Sequence, residues 1–381
     1  MTARGGVPAS GPGLLLLLLL AAGCQTGPVR VDNAVDPRVY ATCQDPDGAA
    51  AWQRAQVALA RGDDAAALPD LRACAERCPR LVRAHLAYQD AARRLGGDAE
   101  RAMVAFYVGD ATGGDANGAG AAAADANAAT VRAYLRARLA DTSYAQSNAL
   151  QAILARDPSF AWAHLSLARV NRRQGRLLQA VDMFAAAIVN DASLHEARLE
   201  RAQVLAELGR EEEAAVDYRA YLRGRPDDDE AMHAFVTLLL YRLERVDEAL
   251  ALLDRLEQLH PGSAALRMDR AAALWRGKHP REAVEMYLGV LREQPGRARA
   301  ALNIGYLYYG VLARDEASRR RFWPAARAAF RMYLTLAQPT DGHEQFERTL
   351  AVPYRLEVIG ELLGPDDRET VSIDQLDWPG A

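Results

Sequence analysis

The chain has 381 residues, 50% of them hydrophobic and 25% charged, with a formal net charge of −4. Such a chain can bury a large apolar core, and the lack of polybasic character excludes the usual electrostatic footprint of a nucleic-acid binder. Its basic residues are arginine except Lys278, and alanine is abundant, a bias of the kind that a GC-rich genome produces.

The first element in chain order is the apolar run Leu14 to Leu20, which follows Arg4 and ends in Ala21, Ala22, Gly23 and Cys24. It is shorter than the roughly 20 residues needed to span a bilayer, so residues 1–23 read as a secretory signal peptide with its cleavage site. Leu20-Ala21-Ala22-Gly23-Cys24 resembles the lipobox of bacterial lipoproteins, with Ala21 where leucine is commoner. The resemblance implies that Cys24 is acylated and becomes the N-terminus. Gln25, in place of the aspartate that holds such proteins at the inner membrane, implies a lipid-anchored, periplasm-facing protein of a Gram-negative outer membrane. No second membrane segment is expected. Residues 24–47, with Pro28, Pro37 and Pro46 among polar groups, read as a tether.

A repeat follows. Gly175, Ala180, Phe184 and Ala187 recur 34 residues later as Gly209, Ala214, Tyr218 and Tyr221, and Ala249, Leu253, Leu256 and Pro261 recur at the same spacing as Ala283, Tyr287, Val290 and Pro295. Gly62, Ala67, Leu71, Cys74 and Pro79 fit the same template upstream, and Ile153, Leu154, Asp157 and Pro158 fit its closing half. This pattern resembles the tetratricopeptide repeat, a pair of antiparallel helices that cannot cover its apolar faces alone and must stack. The resemblance implies an all-α solenoid of about eight helix pairs. N-terminal repeats occupy 48–108 and the main array 130–340, separated by a low-complexity linker at 109–129. Residues 315–321 read as a charged extension of the last helix connection. Residues 341–381 complete the chain as a capping helix, with Leu350, Val352, Leu356, Ile359 and Leu362 at helical spacing and a kink at Pro353, followed by an exposed acidic tail on which Leu376 and Trp378 could dock.

Cys24 apart, three cysteines remain, and in an oxidising compartment they suit one structural bond. Cys43 lies just before the first helix and Cys78 at the end of the second, so a Cys43–Cys78 disulfide is expected; Cys74, one turn away, is the competing partner. The seven histidines are scattered without metal-ligand spacing, and there is no nucleophile elbow, phosphate-cradling glycine loop or recognisable carboxylate pair. The expectation is a non-enzyme without cofactor or metal.

In tetratricopeptide proteins the first helix of each pair lines a concave surface. Carrying that register over implies a partner groove formed by Trp162, Arg169, Arg172, Arg173, Gln203, His233, Thr237 and Tyr241, continued by Met268, Trp275, Arg276, Arg299, Tyr306 and Tyr309, with Leu165, Leu199 and Leu302 between them. Arginine gathers at one end and aromatic residues at the other, and both types commonly dominate binding energy. The lysine-asparagine clamp that some relatives use to hold a peptide carboxylate is absent. The resemblance therefore implies an adaptor or scaffold that holds a protein or peptide segment of an envelope complex, such as a pilus, secretion, motility or cell-wall machine. The alternative is a structural, self-associating lipoprotein whose groove is filled by its own linker or tail.

Overall fold

The computed structural model describes residues 35–109, 125–338, 345–365 and 371–379. The signal peptide, Cys24, residues 25–34 and residues 110–124 lie outside them. Two compact units divide the chain, residues 1–201 and 202–381.

In the first unit α1 (Pro46–Ala60) pairs with α2 (Asp64–Arg77), α3 (Val82–Leu95) with α4 (Gly97–Val108), α5 (Ala126–Ala137) with α6 (Ser143–Arg156), and α7 (Ala161–Arg173) with α8 (Leu177–Asn190). Each helix packs chiefly on its sequence neighbours, as stacking of incomplete pairs requires. Ala168 and Ala180 are fully buried where helices approach closely, and the fully buried ring of Phe184 fills the space beyond them. The turn between α7 and α8 puts Gly175 at φ +71°, a conformation that a Cβ would strain. Entry into α7 is fixed by Asp157, which accepts from the amide (3.1 Å) and hydroxyl (2.6 Å) of Ser159. The same device recurs 34 residues on, with Asp191 accepting from the amide (2.9 Å) and hydroxyl (2.6 Å) of Ser193. These side chains satisfy backbone donors that the reversing chain would otherwise leave unpaired.

The helix α9 (His195–Glu207) runs across the division between the units. In the second unit follow α10 (Glu211–Gly224), α11 (Asp229–Tyr241), α12 (Val246–Leu259), α13 (Ala264–Arg276), α14 (Pro280–Glu293), α15 (Ala298–Tyr306), α16 (Glu316–Leu336) and α17 (Val352–Leu363). The turn after α11 is one residue longer than its predecessor. The Arg245 amide bonds the Leu239 carbonyl six residues back, where the Arg210 amide bonds Leu205 five back. Left-handed backbone then falls on Glu244 and Lys278 rather than on glycine. Among the described residues no helix is long and apolar enough to cross a membrane.

Four boundaries differ from the sequence reading. The tether does not extend to 47 as a free segment: Val35 donates its amide to Ser159 Oγ (3.2 Å), and buried Tyr40 sets its ring edge-on to Phe160, centroids 5.0 Å apart. The Tyr40 hydroxyl bonds Asp157 Oδ2 (3.2 Å), so an aromatic side chain with a polar tip holds this segment on α5–α7. The linker does not reach 129, because Asp125 caps α5 by accepting from the Asn127 and Ala128 amides. Residues 316–321 are helical rather than part of the connection, since Asp315 and Ser318 form a capping box at the start of α16.

The acidic tail is also folded where it is described. Leu376 is fully buried, its carbonyl accepts from the Tyr308 hydroxyl (2.9 Å), and Trp378 packs edge-on to Phe322 at 5.5 Å. At the capping segment, a π-helical turn at Glu347–Ala351 runs on into α17 without a break, so Pro353 stands inside a continuous helical stretch directly after the irregular turn.

Cys43 and Cys78 are joined, their Cα atoms 5.2 Å apart, and Cys74 is free and buried. Gly48 makes room for the bond, since a Cβ there would run into both sulfurs. With the cysteines 35 positions apart in sequence, replacing both by alanine should lower the stability of the first unit by about 2–4 kcal/mol. Hydrogen exchange should show faster opening at α1 and α2 and unchanged protection at α13 and α14. A second expectation concerns Gly305, whose added Cβ would stand 2.5 Å from Phe330 Cε1. Gly305→Ala should cost about 1–3 kcal/mol by overpacking, measurable as a lower urea midpoint; an unchanged midpoint would mean that α15 and α16 separate freely.

Candidate functional site

First helices carry the expected groove residues, but the structure puts those residues to different uses. In the first unit Trp162 is 5% exposed and belongs to the core, with the Arg83 guanidinium 5.4 Å from its ring centroid. Arg169 is held by Glu200, Nε lying 2.9 and 3.0 Å from the two carboxylate oxygens. Arg173 donates to Gln146 Oε1 at 2.9 Å, and half-buried Arg172 lies one residue before it in the last turn of α7.

Arg169 and Arg173 also line a cavity of ≈ 260 Å³ together with Arg93, Arg138, Gln146 and Ser166. Arg93 lies in the last turn of α3, Arg138 caps the C-terminus of α5, Gln146 lies on α6, and Ser166 on α7. Basic residues suit those helix ends, where carbonyls concentrate partial negative charge. The repeat register pointed to Arg169 and Arg173; it had no reason to bring Arg93 and Arg138 to them.

In the second unit the aromatic end is divided. Tyr306 and Tyr309 are covered by the chain itself: the Tyr306 hydroxyl donates to Glu347, and the Arg355 guanidinium lies 4.6 Å from the Tyr306 ring and 5.9 Å from that of Tyr309. Tyr309 is further stacked on Trp323 at 5.2 Å. Burial and the Glu347 carboxylate both raise the Tyr306 pKa, keeping the hydroxyl a donor. These two tyrosines are fixed packing elements under the capping segment rather than an open surface.

Tyr241 is different. It ends α11, is 53% exposed, and receives the Arg276 guanidinium at 4.1 Å from its ring centroid. Arg276 forms no ion pair among the described residues. Beside them Trp275 and Met268 rest half-buried against the core, and Gln203 and Arg299 lie on first helices of neighbouring pairs. His233 Nδ1 is 3.8 Å from Asp269 Oδ2, while Thr237 turns its hydroxyl back to the His233 carbonyl at 3.0 Å. Asp269 escaped the sequence reading because a lone carboxylate on a helix reads as solvated surface. No group of three or more histidine, cysteine, aspartate or glutamate side chains is placed to hold a metal among the described residues. His85 is buried, with Nδ1 2.9 Å from the Tyr107 hydroxyl, and burial pushes it down to about 4, so it is a neutral core group at pH 7.

Burial raises the Asp269 pKa more than His233 lowers it. A raised carboxylate pKa costs stability above the folded value and nothing once both states are protonated. Asp269→Asn should therefore raise the melting temperature at pH 7, with the gain vanishing below about pH 4, near the ordinary aspartate value. A gain that persisted in acid would assign the effect to packing rather than charge.

No family model and no curated protein matches the chain. Solved structures with a similar fold include YrrB, described as a tetratricopeptide protein with an unusual peptide-binding site, at 20% identity over 54% of this chain and 100% of its own, TM-score 0.39. A tetratricopeptide protein from Parabacteroides merdae is 18% identical over 61% of this chain and 90% of its own, TM-score 0.41. The C-terminal part of a tetratricopeptide protein from Cytophaga hutchinsonii is 14% identical over 69% of this chain and 98% of its own, TM-score 0.44. With its 34-residue spacing and the helix pairs built on that spacing, the chain has an all-α fold of stacked helix pairs of the tetratricopeptide type.

Proposed function

We propose that the protein is a scaffold that holds a protein segment on the first-helix surface of its second unit, and that it is lipid-anchored through Cys24 to the outer membrane, facing the periplasm. The Tyr241–Arg276 pair carries this reading. Both residues come from first helices of successive pairs, the tyrosine is half exposed, and the pair is worth only about 0.5–1 kcal/mol as an exposed cation–π contact. It therefore leaves a large aromatic face and a guanidinium for a partner to desolvate, the combination that dominates binding hot spots. Trp275 and Met268 extend the apolar floor.

Acylation at Cys24 would confine the scaffold to two dimensions and raise the local concentration of an envelope partner, which suits assembly or placement of a pilus, secretion, motility or cell-wall complex. The Gly23-Cys24 junction supports the anchor, and Gln25 its outer-membrane address. Binding rather than catalysis is the mode of action. A second reading, a self-associating structural lipoprotein, draws support from the way Glu347 and Arg355 already cover Tyr306 and Tyr309.

A photo-crosslinking residue at Tyr241 in the membrane-anchored protein tests the scaffold. One dominant envelope protein should be recovered, and Trp275→Ala with Arg276→Ala should reduce its recovery at least about tenfold, the effect of losing about 1.4 kcal/mol, without changing the helical melt. Adducts formed only with the chain's own segments or another copy would replace this reading by the structural one. Separately, Cys24→Ala should shift the protein from the membrane to the soluble fraction; retention in the membrane would sink the lipid anchor.

A further inference from the structure

Four arginines converge in the cavity of the first unit, and the local carboxylates answer only two of them. Arg169 is satisfied by both oxygens of Glu200, and Arg138 by Gln89 Oε1 (3.0 Å) and Asp90 Oδ1 (3.1 Å). Arg93 donates Nη2 to the Arg138 carbonyl at 3.0 Å, and Arg173 donates Nη2 to Gln146 Oε1 at 2.9 Å; neither meets a carboxylate among the described residues. Each guanidinium has five N–H donors, so both retain unused ones facing a common space. Gln146, having accepted from Arg173, keeps its amide hydrogens to donate. Ser166 adds a hydroxyl, fixed 3.0 Å from that of Tyr134 in the buried wall.

We propose that this cavity binds the dianionic phosphate group of a phosphate monoester. Two unpaired guanidinium charges match a dianion. Roughly half a negative charge sits at each helix C-terminus, and the Arg93 bond to the Arg138 carbonyl already answers one of these ends. Donors arrive from four helices, which suits a tetrahedral group with three peripheral oxygens; a planar carboxylate is satisfied by one guanidinium, as Glu200 is on Arg169. At ≈ 260 Å³ the cavity has space for the carbon skeleton that carries the phosphate. The phosphate can come from a free ester or from a phospholipid headgroup, which share this chemistry. The site is separate from the Tyr241 surface of the second unit and does not depend on it.

The test uses the full chain carrying Cys24→Ala, so that no anchor of its own contributes. Titration calorimetry with glycerol 3-phosphate should show saturable one-to-one binding, weakened at least about tenfold by Arg93→Ala with Arg173→Ala, which removes charge-assisted bonds to the phosphate. Arg94→Ala, which breaks only the pair with Asp64 on the neighbouring helix, should leave binding unchanged. Co-sedimentation with phosphatidic acid vesicles, competed by glycerol 3-phosphate, would identify a headgroup; soluble binding without sedimentation would identify a free ester. Absence of saturable binding in both formats would overturn the proposal. So would equal binding of an unphosphorylated acidic peptide at these arginines, or an affinity indifferent to the arginine pair. If phosphate fails while Tyr241 still crosslinks a partner, the scaffold stands and the anion site falls.

Discussion

A two-helix unit has more apolar surface than it can hide, and the architecture of this chain follows from that deficit. Each pair is completed by the next, so the helices pack mainly on their sequence neighbours, and small side chains such as Ala168, Ala214 and Ala283 recur where backbones must come close. The first unit has its opening segment folded down by Tyr40 on Phe160 and secured through Cys43 and Cys78. At the end of the second unit, α17 and the segment ending in Trp378 cover α14–α16 with Val352, Ile359 and Leu376. The same capping segment, through Glu347 and Arg355, covers Tyr306 and Tyr309.

Charge follows the repeat as well. Arginines on one helix meet carboxylates on another in Arg169–Glu200, Arg219–Glu248, Arg242–Glu211 and Arg267–Glu293. Exposed pairs of this kind contribute about 0–1 kcal/mol each, so they are a weak source of stability. They do neutralise part of an arginine-rich surface. Other arginines meet no carboxylate among the described residues: Arg93, Arg173 and Arg276 meet a carbonyl, an amide and an aromatic ring, as Arg136, Arg297 and Arg319 do elsewhere.

How much was legible depended on the range of the interaction. Helix pairing, turn glycines and the small-residue positions are written in adjacent residues, and the spacing from Gly175 to Gly209 exposes them directly. The tail was legible in part: Leu376 and Trp378 stand out as residues that could dock, but their partners, Tyr308 and Phe322, lie more than fifty residues earlier and an acidic, proline-containing stretch otherwise reads as solvated. Template register also assigned Trp162 to the groove, yet a bulky ring at the start of α7 is drawn into the core and covered by Arg83 from α3. The four-arginine cavity had a partial signal: Arg93, Arg138 and Arg173 each stand at the C-terminal end of a first helix, a recurrence that composition alone disguises as codon bias.

That recurrence links the two candidate surfaces. Helix C-termini favour cations, so a repeat protein rich in arginine accumulates guanidinium groups along the ends of its first helices. What they then do depends on the neighbours. In the first unit, Glu200 and Asp90 answer Arg169 and Arg138, Gln146 and Ser166 supply further donors beside Arg93 and Arg173, and the result is a cavity with two guanidinium charges left over. In the second, α13 ends in Arg276 beside Tyr241, the terminal residue of α11, whose ring is 53% exposed. A tyrosine there stays half exposed and supplies an aromatic face instead of a cage of donors. One placement rule thus yields an anion-selective cavity in one setting and an amphipathic contact surface in the other, and the residues beside each arginine decide which.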